Sequence, residues 1–175
     1  MPTSIQLGWL LAVPTLVVYA GLASHLLSHP ELRAAGTLDI AGFWSLDDAH
    51  ALLDGLSPAS RAAYLDMYLR PLGDLALPCC YAPMFALFLR GLQPGRPWLA
   101  AVALLSGVAD LLENWSVVTL LRAWPDLDAA PPFAATGGPF FSLAKWACLA
   151  TTVLAVLVSL VKGSEGRGAP VTKRA

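Results

Sequence analysis

Charged residues are scarce in this chain: Asp, Glu, Lys and Arg together supply 13% of it, and a net charge of −1 offers no basic surplus for nucleic acid. Cysteine is scarce too. Cys79, Cys80 and Cys148 have no C-x-x-C spacing, which excludes a thiol–disulfide relay and leaves them as small apolar packers. The three histidines, His25, His29 and His50, all precede the second apolar run. A haem held by imidazoles from two helices of a bundle is therefore excluded, and no cofactor is expected. His25 and His29, spaced i and i+4, are weak candidates for a metal site that would need His50 or Asp74 as a further ligand. Interfacial imidazoles satisfied by water are the plainer reading, and no metal is expected.

Apolar residues are what the chain has in excess: 57% of it is hydrophobic and the mean hydropathy is +0.62. Runs of about twenty apolar residues span a bilayer as helices, and such runs occur at 7–27, 72–92, 97–121 and 139–161. The expected fold is all-α: a polytopic, multi-pass cell-membrane protein whose residues 1–162 form a four-helix transmembrane bundle. Residues 163–175, rich in Gly and basic residues, read as a disordered cytoplasmic tail. The first run is expected to be a retained helix rather than a secretory signal. Met1 to Gln6 contain no Lys or Arg, and the run exceeds the roughly 7–15 residues of a signal core.

Lys and Arg in loops set orientation. Arg90 and Arg96 flank the link between spans two and three, and Lys162, Arg167, Lys173 and Arg174 follow span four. The opposite side carries Arg33, Arg61, Arg70 and Arg122 over a much longer connection, among the acids Glu31, Asp39, Asp47, Asp48, Asp54, Asp66, Asp126 and Asp128. Both termini are therefore expected in the cytoplasm. The connection 28–71 is too long for a plain loop and contains two helix starts. Ser45 is an N-cap with Asp48 at N3, ahead of a helix that Gly55 stops; Ser57 and Pro58 open a second helix carrying Ala62, Leu65 and Leu69. Both read as short amphipathic helices, lying on the outer membrane surface or folded over the mouth of the bundle as a lid, the plainer reading being a packed surface connection.

Ionisable groups at membrane depth are costly and mark functional sites. Asp110, Glu113 and Asn114 lie mid-way along span three, with Ser106 on the same face, and Lys145 lies inside span four on a face shared with Ser142, Thr152 and Ser159. At 1.5 Å per residue Glu113 is about 13 Å from the outer end of its helix and Lys145 about 10 Å from the start of its own. The two meet near one level, so Lys145 is expected to pair with Glu113 or Asp110. In span two, Asp74, Pro78, Tyr81 and Phe85 share a stripe, which brings a third carboxyl and a phenol toward the same cluster. Pro14, Pro71, Pro78 and Pro83 predict kinks in spans one and two. Trp9, Trp44, Trp98, Trp124 and Trp146 read as interfacial anchors, and Trp115 lies beside the polar cluster.

With its acidic connection ending in SPASRAAYLDMYLRPLGDLALP, DLLENW in span three and SLAKW opening span four, the chain resembles an uncharacterised family of small four-span proteins of the bacterial inner membrane. The resemblance covers about residues 39–146 and implies the four-span fold. Two functions fit these residues. In one, Asp74, Tyr81, Asp110, Glu113, Asn114 and Lys145 bind a small or lipid-like ligand, with or without proton transfer, a membrane-embedded enzyme being a special case. In the other, the cluster is a structural ion-pair network in a non-catalytic bundle that assembles with a membrane-protein partner or with its own copies.

Overall fold

A computed structural model describes residues 3–165, and every regular element among them is helical. α1 (Thr3–Ser28) leads into α2 (Pro30–Ala35), a 3-10 turn (Leu38–Ile40), α3 (Leu46–Gly55) and α4 (Pro58–Leu69). α5 (Leu77–Leu92) and α6 (Pro97–Ala123) follow, then single turns at Leu127–Ala129 and Phe133–Gly137, and α7 (Gly138–Glu165). Three stretches are long and apolar enough to cross a membrane: Thr3–Ser28, Pro97–Ala123 and Phe133–Val161. The fourth expected span is the exception, because α5 has only 16 residues, about 24 Å of helix against a hydrocarbon core of about 30 Å.

The shortening has a local cause. Arg70 precedes Pro71, which disfavours helical backbone there, and its φ of −65° and ψ of 157° are extended. Gly73 then lies so close to α4 that an added Cβ would come 2.5 Å from the Met67 carbonyl oxygen and 2.6 Å from that of Tyr68. Asp74 N–H closes this turn by donating to Met67 O at 2.9 Å. Regular helix resumes only at Leu77, with proline in its first turn.

α1 packs along α5, α5 along α6 and α6 along α7, with a narrower contact between α5 and α7. α6 is thus the inner helix: 56% of its spanning window is buried, against 11% for α1 and 17% for Phe133–Val161. Where α5 and α6 cross, an added Cβ on Gly107 would fall 2.5 Å from Ala82 Cβ. Such close approach of small residues is how helices pack within lipid.

The two helix starts expected in the long connection are both present. Ser45 and Asp48 form a reciprocal capping box, and Ser57 caps α4 ahead of Pro58. α2 and the 3-10 turn were not expected. Glu31 on α2 accepts hydrogen bonds from Ser57 N–H and Oγ, each at 2.6 Å, and from Ser60 Oγ at 2.5 Å. These donors hold the Glu31 carboxyl below the usual carboxylate range, as Ser45 does for Asp48. The elements do not lie loosely on a surface. Leu32, Leu38, Trp44, Leu53, Tyr64 and Tyr68 join Val117, Val118 and Leu120 of α6 in the largest apolar cluster among the described residues. They form a packed cap, which His25 (Nε2 to Ala63 O, 2.8 Å) and Arg70 (Nη2 to Gly21 O, 2.7 Å) tie to α1.

Two expectations change here. Trp44 is a core residue, 1% exposed, and not an interfacial anchor. Its ring lies so close to Gly138 that a Cβ there would come within 2.6 Å of it. Trp124 stacks beneath the Arg61 guanidinium at 3.6 Å, whereas Trp9, Trp98, Trp115 and Trp146 are exposed. The tail expected from residue 163 begins helically, since α7 continues to Glu165; residues 166–175 lie outside the described residues.

Candidate functional site

α6 buries Ser106, Asp110, Glu113, Asn114 and Ser116 along its length. That is possible because α5 and α7 flank it and each contributes a polar partner. Lys145 of α7 brings Nζ within 2.5 Å of Glu113 Oε2 and 3.6 Å of Asp110 Oδ1. It also donates to the backbone carbonyl of Asp39 at 2.9 Å. An ammonium has three N–H bonds, and three acceptors surround this one. Ser142, one turn earlier on α7 and fully buried, lies against Glu113.

α5 supplies the other wall. Tyr81 O–H donates to Asp110 Oδ2 at 2.9 Å, with the Ser106 carbonyl oxygen at 3.3 Å. The Asn114 amide donates to Asp74 O at 3.1 Å, joining α6 to the turn before α5. The Asp74 carboxyl is buried within electrostatic reach of Asp39, Asp110, Glu113 and Lys145. All six residues singled out in the sequence therefore converge. Glu113 and Asn114 are fully buried, and Asp110, Lys145 and Asp74 are 6%, 6% and 8% exposed.

Three further members come from the cap. Asp39 sits on the 3-10 turn, half-buried, with its carbonyl on Lys145 and its carboxylate accepting from Tyr68 O–H at 2.9 Å. Trp146 Nε1 reaches the same carbonyl at 3.3 Å. Tyr64 O–H accepts from Leu38 N–H at 2.8 Å. Burial, reinforced by the neighbouring Asp39 carboxylate, pushes both phenols well above the ordinary tyrosine range, so both keep their protons. Gly36 and Gly42 bracket this segment, each with φ of +80°, a backbone region where glycine alone is at ease. A cavity of about 350 Å³ lined by Ala35, Gly36, Thr37, Leu38, Ile40, Ala41 and Leu52 opens beside it. Asp39 resembles the other acids of its connection; two flanking glycines were the one signal that set it apart.

The histidines lie away from the cluster. His25 Nε2 is occupied by Ala63 O and its Nδ1 lies 4.0 Å from Asp66, while His29 Nδ1 pairs with the His25 carbonyl at 2.8 Å. No three His, Cys, Asp or Glu side chains are grouped to hold a metal among the described residues.

Chemically, the site sets one ammonium among four carboxyls, Asp39, Asp74, Asp110 and Glu113. A series of contacts runs from the carbonyl of half-buried Asp39 to Lys145 by a hydrogen bond, from Lys145 to Asp110 by an ion pair at 3.6 Å, and from Asp110 to Tyr81 by a hydrogen bond. Lys145, Asp110 and Tyr81 each carry an ionisable side chain, and the Asp39 backbone carbonyl ends the series. Comparison with protein-family models, curated proteins and solved structures finds no match.

Proposed function

We propose that the chain is a four-span membrane protein, α5 and the turn before it forming the second span, whose acid–lysine cluster binds a small or lipid-like ligand with transfer of a proton. The observation that carries this reading is the surplus of carboxyls: one Lys145 ammonium faces Asp110 and Glu113 directly, with Asp74 and Asp39 in reach. A purely structural network works best with matched charges, because uncompensated buried charge is strongly destabilising. Surplus acid is useful where a proton or a donor-bearing ligand enters and leaves. The chemistry suits a ligand rich in hydrogen-bond donors or bearing positive charge, in place of the Asp39 contact. Entry runs through segment 37–41, which swings on Gly36 and Gly42 and lifts the Asp39 carbonyl from Lys145. Both termini are assigned to the cytoplasm, because Arg90 and Arg96 lie at the end of α5 and in the α5–α6 link, away from the acidic cap, and the sequence after α7 is basic. The likeness to small four-span bacterial proteins through DLLENW and SLAKW accords with this topology.

The test is native mass spectrometry of the protein gently extracted from its own membrane, beside Asp110→Asn/Glu113→Gln. A co-purifying molecule present on the wild type and lost from the variant is the expected result. Ligand-free wild type would count against the reading.

A second reading draws on the closure of the cluster and the bareness of α1, of which only Gly8, Val18 and His25 are buried. In it the network is structural glue and α1 faces a partner helix or a second copy. A protein partner recovered in place of a small ligand would favour it.

A further inference from the structure

At the end of the molecule remote from the cap, α5 and α6 line a groove of about 450 Å³, within the roughly 300–1,000 Å³ range of small-ligand sites. Its α5 wall is Pro83, Ala86, Leu87 and Arg90, and its α6 wall is Pro97, Ala100, Ala101 and Leu104. Each set follows the i, i+3, i+4, i+7 spacing of one helix face. One face of each helix therefore lines the groove, and its alanines leave room beside the packed contact. Ala101 and Leu104 are exposed, so the groove opens sideways, in the direction lipid would occupy.

The charge is the second observation. Arg90 is the one ionisable residue of the lining. It is exposed, in the last turn of α5, and has no carboxylate in ion-pair range among residues 3–161. Residues 75–109 contain no Asp or Glu, while Arg96 adds a second cation in the α5–α6 link. A cation at the lip of a wholly apolar slot matches a molecule with an anionic head and a hydrocarbon tail. A long arginine stem lies along the apolar wall and carries its guanidinium to headgroup level, where it can bind phosphate through two parallel hydrogen bonds.

We infer that this groove is a binding site for an anionic phospholipid, with one acyl chain between the two helix faces and the phosphate on Arg90. The inference rests on the membrane reading but not on the acid cluster, which lies toward the other end of α6.

The test reconstitutes the full chain in nanodiscs of equal parts phosphatidylglycerol and phosphatidylethanolamine, then releases it for native mass spectrometry. Wild type is expected to retain phosphatidylglycerol preferentially. Arg90→Gln is expected to reduce that preference about tenfold, the scale of a charge-assisted hydrogen bond, and Arg96→Gln, which does not line the groove, much less. Ala101→Phe, which fills the groove from its exposed edge, is expected to lose both lipids while keeping the wild-type melting temperature. Equal losses for Arg90→Gln and Arg96→Gln would reveal diffuse surface attraction and overturn the site, as would unchanged retention in Ala101→Phe. A chain that fails to enter the nanodisc would overturn the membrane reading as well, so the two failures are distinguishable.

Discussion

The two halves of α6 are held in place by different means. From Pro97 to Gly107 its buried residues are Leu99, Ala100, Ala103, Ser106 and Gly107, and α5 approaches so closely that Gly107 cannot accept a Cβ without pushing on Ala82. From Ala109 onward it buries Asp110, Glu113, Asn114 and Ser116, and then Val117, Val118 and Leu120 beneath the cap. Dispersion between small side chains holds the first half, as in lipid, where burial from water supplies little. Ion pairing in a low-dielectric interior and a water-excluding apolar core hold the second. One helix thus carries a small-residue interface and a polar, capped interface in series. The polar cluster sits at the junction, where α5, α7 and the cap each bring a polar partner to α6.

The largest expected effect strikes the junction. Lys145→Met leaves Asp110 and Glu113 facing each other without their cation, and breaking a buried pair in this way costs about 3–5 kcal/mol. Thermal unfolding in detergent should show a clear fall in the melting temperature. Neutralising both acids as well, in Lys145→Met/Asp110→Asn/Glu113→Gln, should restore most of it, because the cost lies in uncompensated charge. An unchanged single variant would break the contrast between the halves. Gly107→Ala strikes the other half: its methyl meets Ala82, and overpacking of this kind costs about 1–3 kcal/mol. The same assay should show that loss in any acid background, because no charge is involved.

What could be read in advance divides along the same line. Periodicity and charge within apolar runs pointed to Asp74, Tyr81, Asp110, Glu113, Asn114 and Lys145, because a polar residue in an apolar run is conspicuous and α6 packs along α7. The caps at Ser45 and Ser57 were equally visible, being local hydrogen-bond chemistry. Asp39, Tyr64 and Tyr68 were not, because their role depends on how the cap folds across α6, and in a connection of many acids only the flanking Gly36 and Gly42 mark the one whose backbone carbonyl meets Lys145. The second apolar run was read as a longer helix than α5 proves to be, for a related reason. Hydropathy sees Leu72 and Leu75 as apolar, but the packing of Gly73 on the end of α4 is a tertiary contact.

Tyr68→Phe sharpens the comparison at smaller scale. It removes the donor to the Asp39 carboxylate while leaving the Lys145 contact to the Asp39 carbonyl. A net loss of about 0.5–1.5 kcal/mol is expected, and hydrogen exchange should locate it in segment 37–41. Loss of protection throughout α6 would instead mean that cap and membrane halves unfold as one unit.

The smallest effect lies farthest from the junction, at Glu31. Hydrogen bonds from Ser57 and Ser60 favour its ionised form in the folded cap, so its folded pKa lies below the unfolded value of about 4.3. The stability this confers is fully present above that unfolded value and is lost as pH falls through the folded one. Melting curves recorded through the acid range should therefore show the wild type declining more steeply than Glu31→Gln, which has no carboxyl to protonate at that position. Because Glu31 belongs only to the cap, the difference between the two proteins should appear in the exchange of α2 and α4 amides and leave residues 97–107 of α6 unaffected. Parallel curves would mean that the serine hydrogen bonds contribute equally to either protonation state, and the pH sensitivity of the cap would then have to be sought at Asp48.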